Sequence, residues 1–157
     1  MMIGRTEERA FLQSLIEEEE PQFVAVFGRR RIGKTYLVRE SFDHRFFFQH
    51  TGISNTSIEQ GSRKQAQLDK FAESLEEAGF KCQEKLSSWD EAFHKLREAI
   101  SGSDERKKVI FIDELSWMDT RDSGLVTAIE SFWNGWATAR KEKDVILIVC
   151  ASATYWI

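Results

Sequence analysis

Residues 28–35 read Gly28-Arg29-Arg30-Arg31-Ile32-Gly33-Lys34-Thr35, directly after the unbroken apolar run Phe23-Val24-Ala25-Val26-Phe27. No other stretch constrains the fold as tightly. An apolar run of this length that stops at a glycine reads as a buried strand entering a tight loop. Glycines at both ends of the loop let the backbone curl so that successive N–H groups converge on one point. Beyond it, Leu37, Val38, Ser41 and Phe42 recur at helical spacing and predict a helix of about two turns, with Tyr36 in its first turn. Strand, curled loop and helix N-terminus in that order make a cradle for phosphate oxygens, because the helix offers its positive end to the anion. In such a cradle Lys34 reaches the β- and γ-phosphates of a nucleoside triphosphate, and the Thr35 hydroxyl ligates Mg²⁺. Chance places the bare pattern in about one random chain of this length in 200, so the flanking strand and helix give it its weight.

The remaining chain alternates short aliphatic runs with amphipathic stretches. Thr6-Glu7-Glu8 puts a cap and two acids at a helix start, with Phe11, Leu12, Leu15 and Ile16 following at helical spacing. The acidic residues 17–20 end at Pro21 and read as a solvated helix end. Residues 45–50, with three phenylalanines, predict a second strand. Thr56-Ser57-Ile58-Glu59 has the capping-box pattern and opens a long helix with Leu68, Phe71, Ala72, Leu75 and Ala78 on one face and Gly79 at the C-cap. Ser88-Trp89-Asp90-Glu91 repeats that pattern before Ala92, Phe93, Leu96 and Ile100. Residues 109–112 and 145–150 predict the third and fourth strands, separated by a helix from about 124 to 140 that turns Leu125, Ile129, Phe132, Trp133 and Trp136 inward. Strands alternating with helices in this way imply an α/β domain with a mostly parallel sheet covered on both faces.

The third strand, Val109-Ile110-Phe111-Ile112, ends in Asp113-Glu114. A carboxylate at the tip of a buried parallel strand faces the crevice at the carboxyl edge of the sheet, where ligands bind. Asp113 is placed there to hold Mg²⁺, directly or through water, and Glu114 to polarise an attacking water. Apolar residues followed by Asp-Glu are weak evidence alone; 78 residues after Thr35, with one strand between, they become the second half of one site.

With these residues in place, the chain resembles the archaeal/bacterial ATPase family of P-loop proteins, in the additional-strand, catalytic-glutamate division near the AAA+ and STAND ATPases. The resemblance rests on Gly28-Arg-Arg-Arg-Ile-Gly-Lys-Thr35, Phe111-Ile-Asp-Glu-Leu115, Cys150-Ala-Ser-Ala-Thr154 and the box Ile3-Gly4-Arg5-x-x-Glu8, and it spans essentially the whole chain. It implies a three-layer α/β/α fold with sheet order 5-1-4-3-2. It makes ATP the nucleotide, places Ile3 and Arg5 on the base side, and makes Ser152 a sensor near the γ-phosphate. The chain supplies strands one to four, in the order 1-4-3-2, and is expected to be a single ATPase core over residues 1–157, truncated before the fifth strand and the helical lid. Strand one is then an open edge, which invites self-association; other contacts between ATPase subunits are a second route. Nucleic-acid or effector contacts would depend on C-terminal parts beyond the core. Arg29, Arg30 and Arg31 read equally as phosphate or partner contacts and as a solvated basic surface.

Composition removes several classes. A net charge of -4 and a pI near 5.5 give the chain as a whole no nucleic-acid signature, so any such contact would be local. Cys82 and Cys150 match no metal-ligand spacing and read as packing residues in a reduced cytoplasm. The N-terminus has no apolar signal region, and residues 145–151, the longest apolar run, are too short to span a bilayer. Trp89, Trp133 and Trp136 sit on helical faces as core, and His44, His50 and His94 form no metal set, although His50 and Thr51 end a strand on the catalytic edge. Mg²⁺-dependent ATP hydrolysis, weak or partner-dependent in this form, is the expected activity. A signalling switch with little turnover is the alternative, and a small-molecule kinase stands behind both, since neither a kinase lid nor an acceptor site is visible.

Overall fold

The computed structural model describes residues 5–28 and 33–152. The chain runs α1 (Arg5–Ser14), β1 (Gln22–Gly28), α2 (Lys34–Ser41), β2 (Phe48–Thr51), α3 (Gln60–Glu77), α4 (Trp89–Ser101), β3 (Lys108–Asp113), α5 (Leu115–Met118), α6 (Leu125–Gly135) and β4 (Val145–Ser152). All strand pairs are parallel and their order is β1-β4-β3-β2, the order that the family resemblance implies. β3 and β4 therefore lie inside the sheet, and their residues are buried up to Asp113 and Ala151.

Two cores flank the sheet. Leu12, Leu15, Leu37, Val38 and Phe42 from α1 and α2 and their adjoining turns pack on Val109, Phe111, Ile146, Ile148 and Cys150. On the opposite face α3, α4 and α6 bring Leu68, Phe71, Leu75, Trp89, Phe93 and Phe132 against Ile110, Ile112, Leu147 and Val149. The split follows from the period of two along each strand, which sends alternate residues to opposite layers. Each large apolar side chain fully buried in this way contributes about 1.5–3 kcal/mol.

Local chemistry sets most element ends. Ser88 caps α4, its Oγ accepting the Glu91 N–H at 3.1 Å, as the capping-box pattern predicts. α3 stops where Gly79 takes a left-handed φ of 97°, with the Phe80 N–H reaching Leu75 O and the Gly79 N–H reaching Glu76 O. The other predicted capping box does not form. α3 starts at Gln60 after an uncapped Glu59, because the Thr56 N–H is taken by Ser54 Oγ instead. α1 already includes Arg5 and Thr6, so Thr6 lies inside its first turn rather than at its cap. The predicted helix over 124–140 ends at Gly135, and a 3₁₀ turn, Ala137–Ala139, follows.

The larger correction concerns β1. It is the edge strand that the order 1-4-3-2 implies, but the burial expected of its apolar run fails on one face: Phe23 and Phe27 are 38% and 45% exposed, with Ala25 between them also exposed. Their register partners Leu147, Val149 and Ala151 are buried, so the α3–α4–α6 layer stops one strand short. Trp133 meets Phe23 edge-on at 5.4 Å and marks its rim.

Candidate functional site

The carboxyl ends of the strands bring Gly28, Thr51, Asp113 and Ser152 to one edge, with Gly28 paired to Ser152 and Thr51 to Asp113. Gly33 begins α2 as its N-cap with a φ of 83°, a left-handed conformation open to glycine and strained for most other residues. A glycine cap offers no side-chain oxygen to the first amides of the helix, the arrangement that serves an anion.

Two side chains from the start of α2 cross to the strand tips. Lys34 is 6% exposed and its Nζ donates to Ala151 O at 2.8 Å. The Thr35 hydroxyl donates to Asp113 Oδ2 at 2.6 Å, a contact across 78 residues of sequence. The other carboxylate oxygen of Asp113 accepts the Glu114 N–H at 2.8 Å. Asp113, 4% exposed, thus has a donor on each oxygen, which offsets the cost of burying its charge.

Glu114 stands between β3 and α5 with φ 56° and ψ 42°. Gly52, just beyond β2, explains how the turn closes. A Cβ there would come within 2.5 Å of the Glu114 carbonyl oxygen and 2.7 Å of Met118 Cγ, and the Gly52 N–H donates to Asp113 O at 2.9 Å. Behind Gly52, the fully buried Gln67 side chain bonds Ile53 N, Ile53 O and Asn55 Oδ1, while Asn55 Nδ2 donates to Trp117 O at 2.8 Å.

A cavity of about 640 Å³ opens at the start of α2, lined by Gly33, Lys34, Thr35, Tyr36, Arg39, His44 and Glu114; Asp113 and Ser152, at the neighbouring strand tips, are not part of its lining. Tyr36 is 66% exposed at its mouth. Arg39 and His44 join the site unexpectedly, since the sequence marks His44 only as one of three scattered histidines. Arg39 is four residues after Thr35, so the i,i+4 spacing of one helix face is the signal that reveals it. His44 is held by Glu40 at 2.8 Å. Ser152 lies at the β4 tip against Ser116, its N–H donating to Ser116 Oγ at 3.1 Å. Ile3, Arg29, Arg30, Arg31 and Ile32 fall outside the described residues, and Arg5 enters as the first residue of α1.

Two nearby groups are placed for packing rather than chemistry. His50 points into the core, its Nδ1 paired with Ser74 Oγ at 2.8 Å, and it does not line the 640 Å³ cavity. Burial, with the charge of Lys70 adding to it, pushes its pKa down to about 3, so the ring is neutral. Cys150 lies within β4, and burial, reinforced by the charge of Asp113, pushes its thiol up to about 12. It is not a nucleophile at neutral pH.

A parallel sheet ordered β1-β4-β3-β2, with a glycine-capped helix after β1 and a buried aspartate at the β3 tip touching that helix, defines the P-loop ATPase class. The chain belongs to the family described as an ATPase domain predominantly from Archaea, whose sequence profile matches residues 2–154. It is 25% identical over 114 residues to an uncharacterized protein of Methanocaldococcus jannaschii, a match covering 73% of this chain and 22% of that protein. It is 33% identical over 58 residues to an uncharacterized ATP-binding protein of the same organism, covering 37% of this chain and 88% of that one. Among solved structures, a Walker-type ATPase of Pyrococcus abyssi superposes with a TM-score of 0.57 at 17% identity, over 96% of this chain and 45% of the other. A chain of Drosophila ORC bound to DNA gives the same TM-score and identity, over 96% and 37%. At that identity the two structures speak for the fold alone. Among the described residues, no helix is long and apolar enough to cross a membrane.

Proposed function

We propose that the chain binds ATP with Mg²⁺ in the 640 Å³ cavity and hydrolyses it. The observation that carries this reading is the 2.6 Å contact between Thr35 Oγ1 and Asp113 Oδ2 beside Glu114. With its proton directed to Asp113, the Thr35 oxygen keeps lone pairs for a cation, and hydroxyl and carboxylate oxygens are the hard donors Mg²⁺ takes. Thr35 and Asp113 would hold the ion, which supplies charge neutralisation for the β- and γ-phosphates.

The chain's own residues divide the remaining work. Residues 28–35 serve as the phosphate-binding segment, Lys34 reaches the β- and γ-phosphates, and Ser152 detects the γ-phosphate. Glu114 draws a proton from the attacking water. Ile3 and Arg5 are assigned to base recognition by the family resemblance, and Arg29, Arg30 and Arg31 to phosphate or partner contact or to a solvated basic surface. Turnover is slow in the isolated chain, because a cavity that leaves Tyr36 two-thirds exposed does not exclude water.

Glu114→Gln tests the hydrolytic part. The variant keeps the size of the side chain and the Asp113 contact made by the backbone, so ATP affinity is expected within about twofold of the unchanged chain. Multiple-turnover phosphate release is expected to fall by about 10²-fold or more, in the range assigned to a positioned general base. Release at the original rate would remove Glu114 from the mechanism.

The open edge of β1, with Phe23 and Phe27 exposed beside it, supports self-association through that edge. Light scattering is expected to show dimers or larger species as concentration rises. A monodisperse monomer at high concentration would reject the pairing.

A further inference from the structure

α5 is a helical turn of four residues directly after Glu114, and it is anchored on two sides. On the β2 side, Gly52 packs under it and Asn55 Nδ2 holds Trp117 O at 2.8 Å. On the β4 side the link is Ser116, whose Oγ accepts the Ser152 N–H at 3.1 Å and lies 3.2 Å from Ser152 Oγ.

We infer that Ser116 is a positioning residue: its hydroxyl directs the Ser152 proton toward the γ-phosphate and couples that contact to the turn carrying Glu114. The inference rests on the ATPase reading above.

Proton accounting supports it. The Ser152 N–H carries its own proton, so Ser116 Oγ is an acceptor in that bond and keeps its hydroxyl proton to give away. Given to Ser152 Oγ, that proton leaves the Ser152 hydroxyl free to donate to another acceptor at the β4 tip, where Gly28 is the register partner of Ser152. With no anion there, the two hydroxyls can reverse, and Ser152 donates to Ser116. Ser152 then has two discrete settings, and an incoming phosphate oxygen selects one of them by its differential interaction. Accepting one hydrogen bond also strengthens the bond a hydroxyl donates, so the chain from Ser152 N–H through Ser116 to Ser152 Oγ favours the outward setting once an acceptor arrives. A purely structural tie between β4 and α5 would need only the 3.1 Å bond. The hydroxyl pair adds the sensitivity. Since Ser116 is two residues from Glu114, the 3.1 Å bond also ties the Ser152 backbone to the turn from which the general base projects.

The test uses the full chain as Ser116→Ala, Ser116→Thr, Ser152→Ala and the Ser116/Ser152 double alanine variant. Calorimetry gives Kd for Mg·ATP and Mg·ADP, and phosphate release gives kcat and KM. Ser116→Ala is expected to lower the preference for ATP over ADP about tenfold, the size of one net hydrogen bond. ADP affinity should stay within twofold, and kcat should fall about tenfold with little change in KM. Ser116→Thr should restore both, and the double variant should match Ser152→Ala, because the two residues act as one unit. An unchanged ATP preference with unchanged kcat in Ser116→Ala, equal losses of ATP and ADP affinity, no rescue by threonine, or additive losses in the double variant would each overturn the inference while leaving the ATPase reading intact. An unsubstituted chain that binds neither nucleotide would overturn that reading and this inference together.

Discussion

Replacing Lys34 with Ala is expected to abolish Mg·ATP binding, the calorimetric heat falling to baseline at nucleotide concentrations that saturate the unchanged chain. Lys34 is buried at the start of α2, where its Nζ already donates to Ala151 O at 2.8 Å. An ammonium held in that place meets an arriving triphosphate with much of its desolvation cost already met by the fold. Hydrogen bonds to a charged group are worth about 1.5–3 kcal/mol each, so contacts to two phosphates correspond to a loss of about 10²-fold or more in affinity. The same substitution removes the bridge from α2 to β4, which should lower stability by about 1.5–3 kcal/mol, the range for a hydrogen bond made by a charged group. Thermal unfolding separates the effects: a variant still folded at the temperature of the titration and silent toward ATP isolates the ligand contribution. Undiminished affinity would sink the assignment of the cavity.

The second large effect lies at the opposite end of the sheet. Asp144→Asn is expected to cost about 3–5 kcal/mol of folding stability, the range for removing one partner of a buried ion pair. Asp144 accepts Lys108 Nζ at 2.6 Å, Arg140 Nε at 2.9 Å and Arg140 Nη2 at 3.1 Å, and the Lys108 and Asp144 side chains are 3% and 2% exposed. The Lys108 N–H also donates to Asp144 O at 2.7 Å, and Arg140 stacks over Trp136 at 4.8 Å. Asparagine keeps the shape but leaves the Lys108 ammonium buried without a counter-charge.

Burial alone would raise the Asp144 carboxyl; the hydrogen bonds and charges of Arg140 and Lys108 outweigh it and hold the pKa below 3.8. The sign follows from that depression. The stability Asp144 contributes is fully present above about pH 4 and is lost as pH falls through the lowered folded-state value. Urea unfolding at pH 7 should show the full difference between the two chains, and the gap should narrow in acid. A midpoint unchanged at pH 7 would show that the triad carries no net stability. Because Lys108 opens β3 and Asp144 precedes β4, ATP affinity of the folded variant should be unaffected.

Most of the site's skeleton is legible in the sequence. Glycine spacing, a following helix and an acid-tipped apolar run are each short-range patterns with one physical purpose, and together they place Lys34, Thr35, Asp113 and Glu114 at one sheet edge. Ser152 has no such pattern; a serine after an apolar strand acquires a role only through the family resemblance. Ser116 and Gly52 are legible in neither way. The turn of α5 is too short to show a helical period, and the need for glycine at 52 comes from the approach of a backbone 62 residues further along. β1 misleads for a related reason. Five apolar residues look the same whether a helical layer covers both faces or only one, and the extent of α6 decides it. Thr56 has the right neighbours for a cap, yet Ser54, two residues before it, competes for the same amide.

The left-handed backbone at Glu114 sets durability against chemistry at a single residue. With φ 56° and ψ 42°, a side chain with a Cβ costs about 1–2 kcal/mol there that glycine would not. Any search for a more heat-resistant chain that relieves positive-φ positions would therefore reach residue 114 early, and success there would remove the proposed general base. The residue with the most to do in the proposed reaction is one that the fold, left to its own preferences, would exchange.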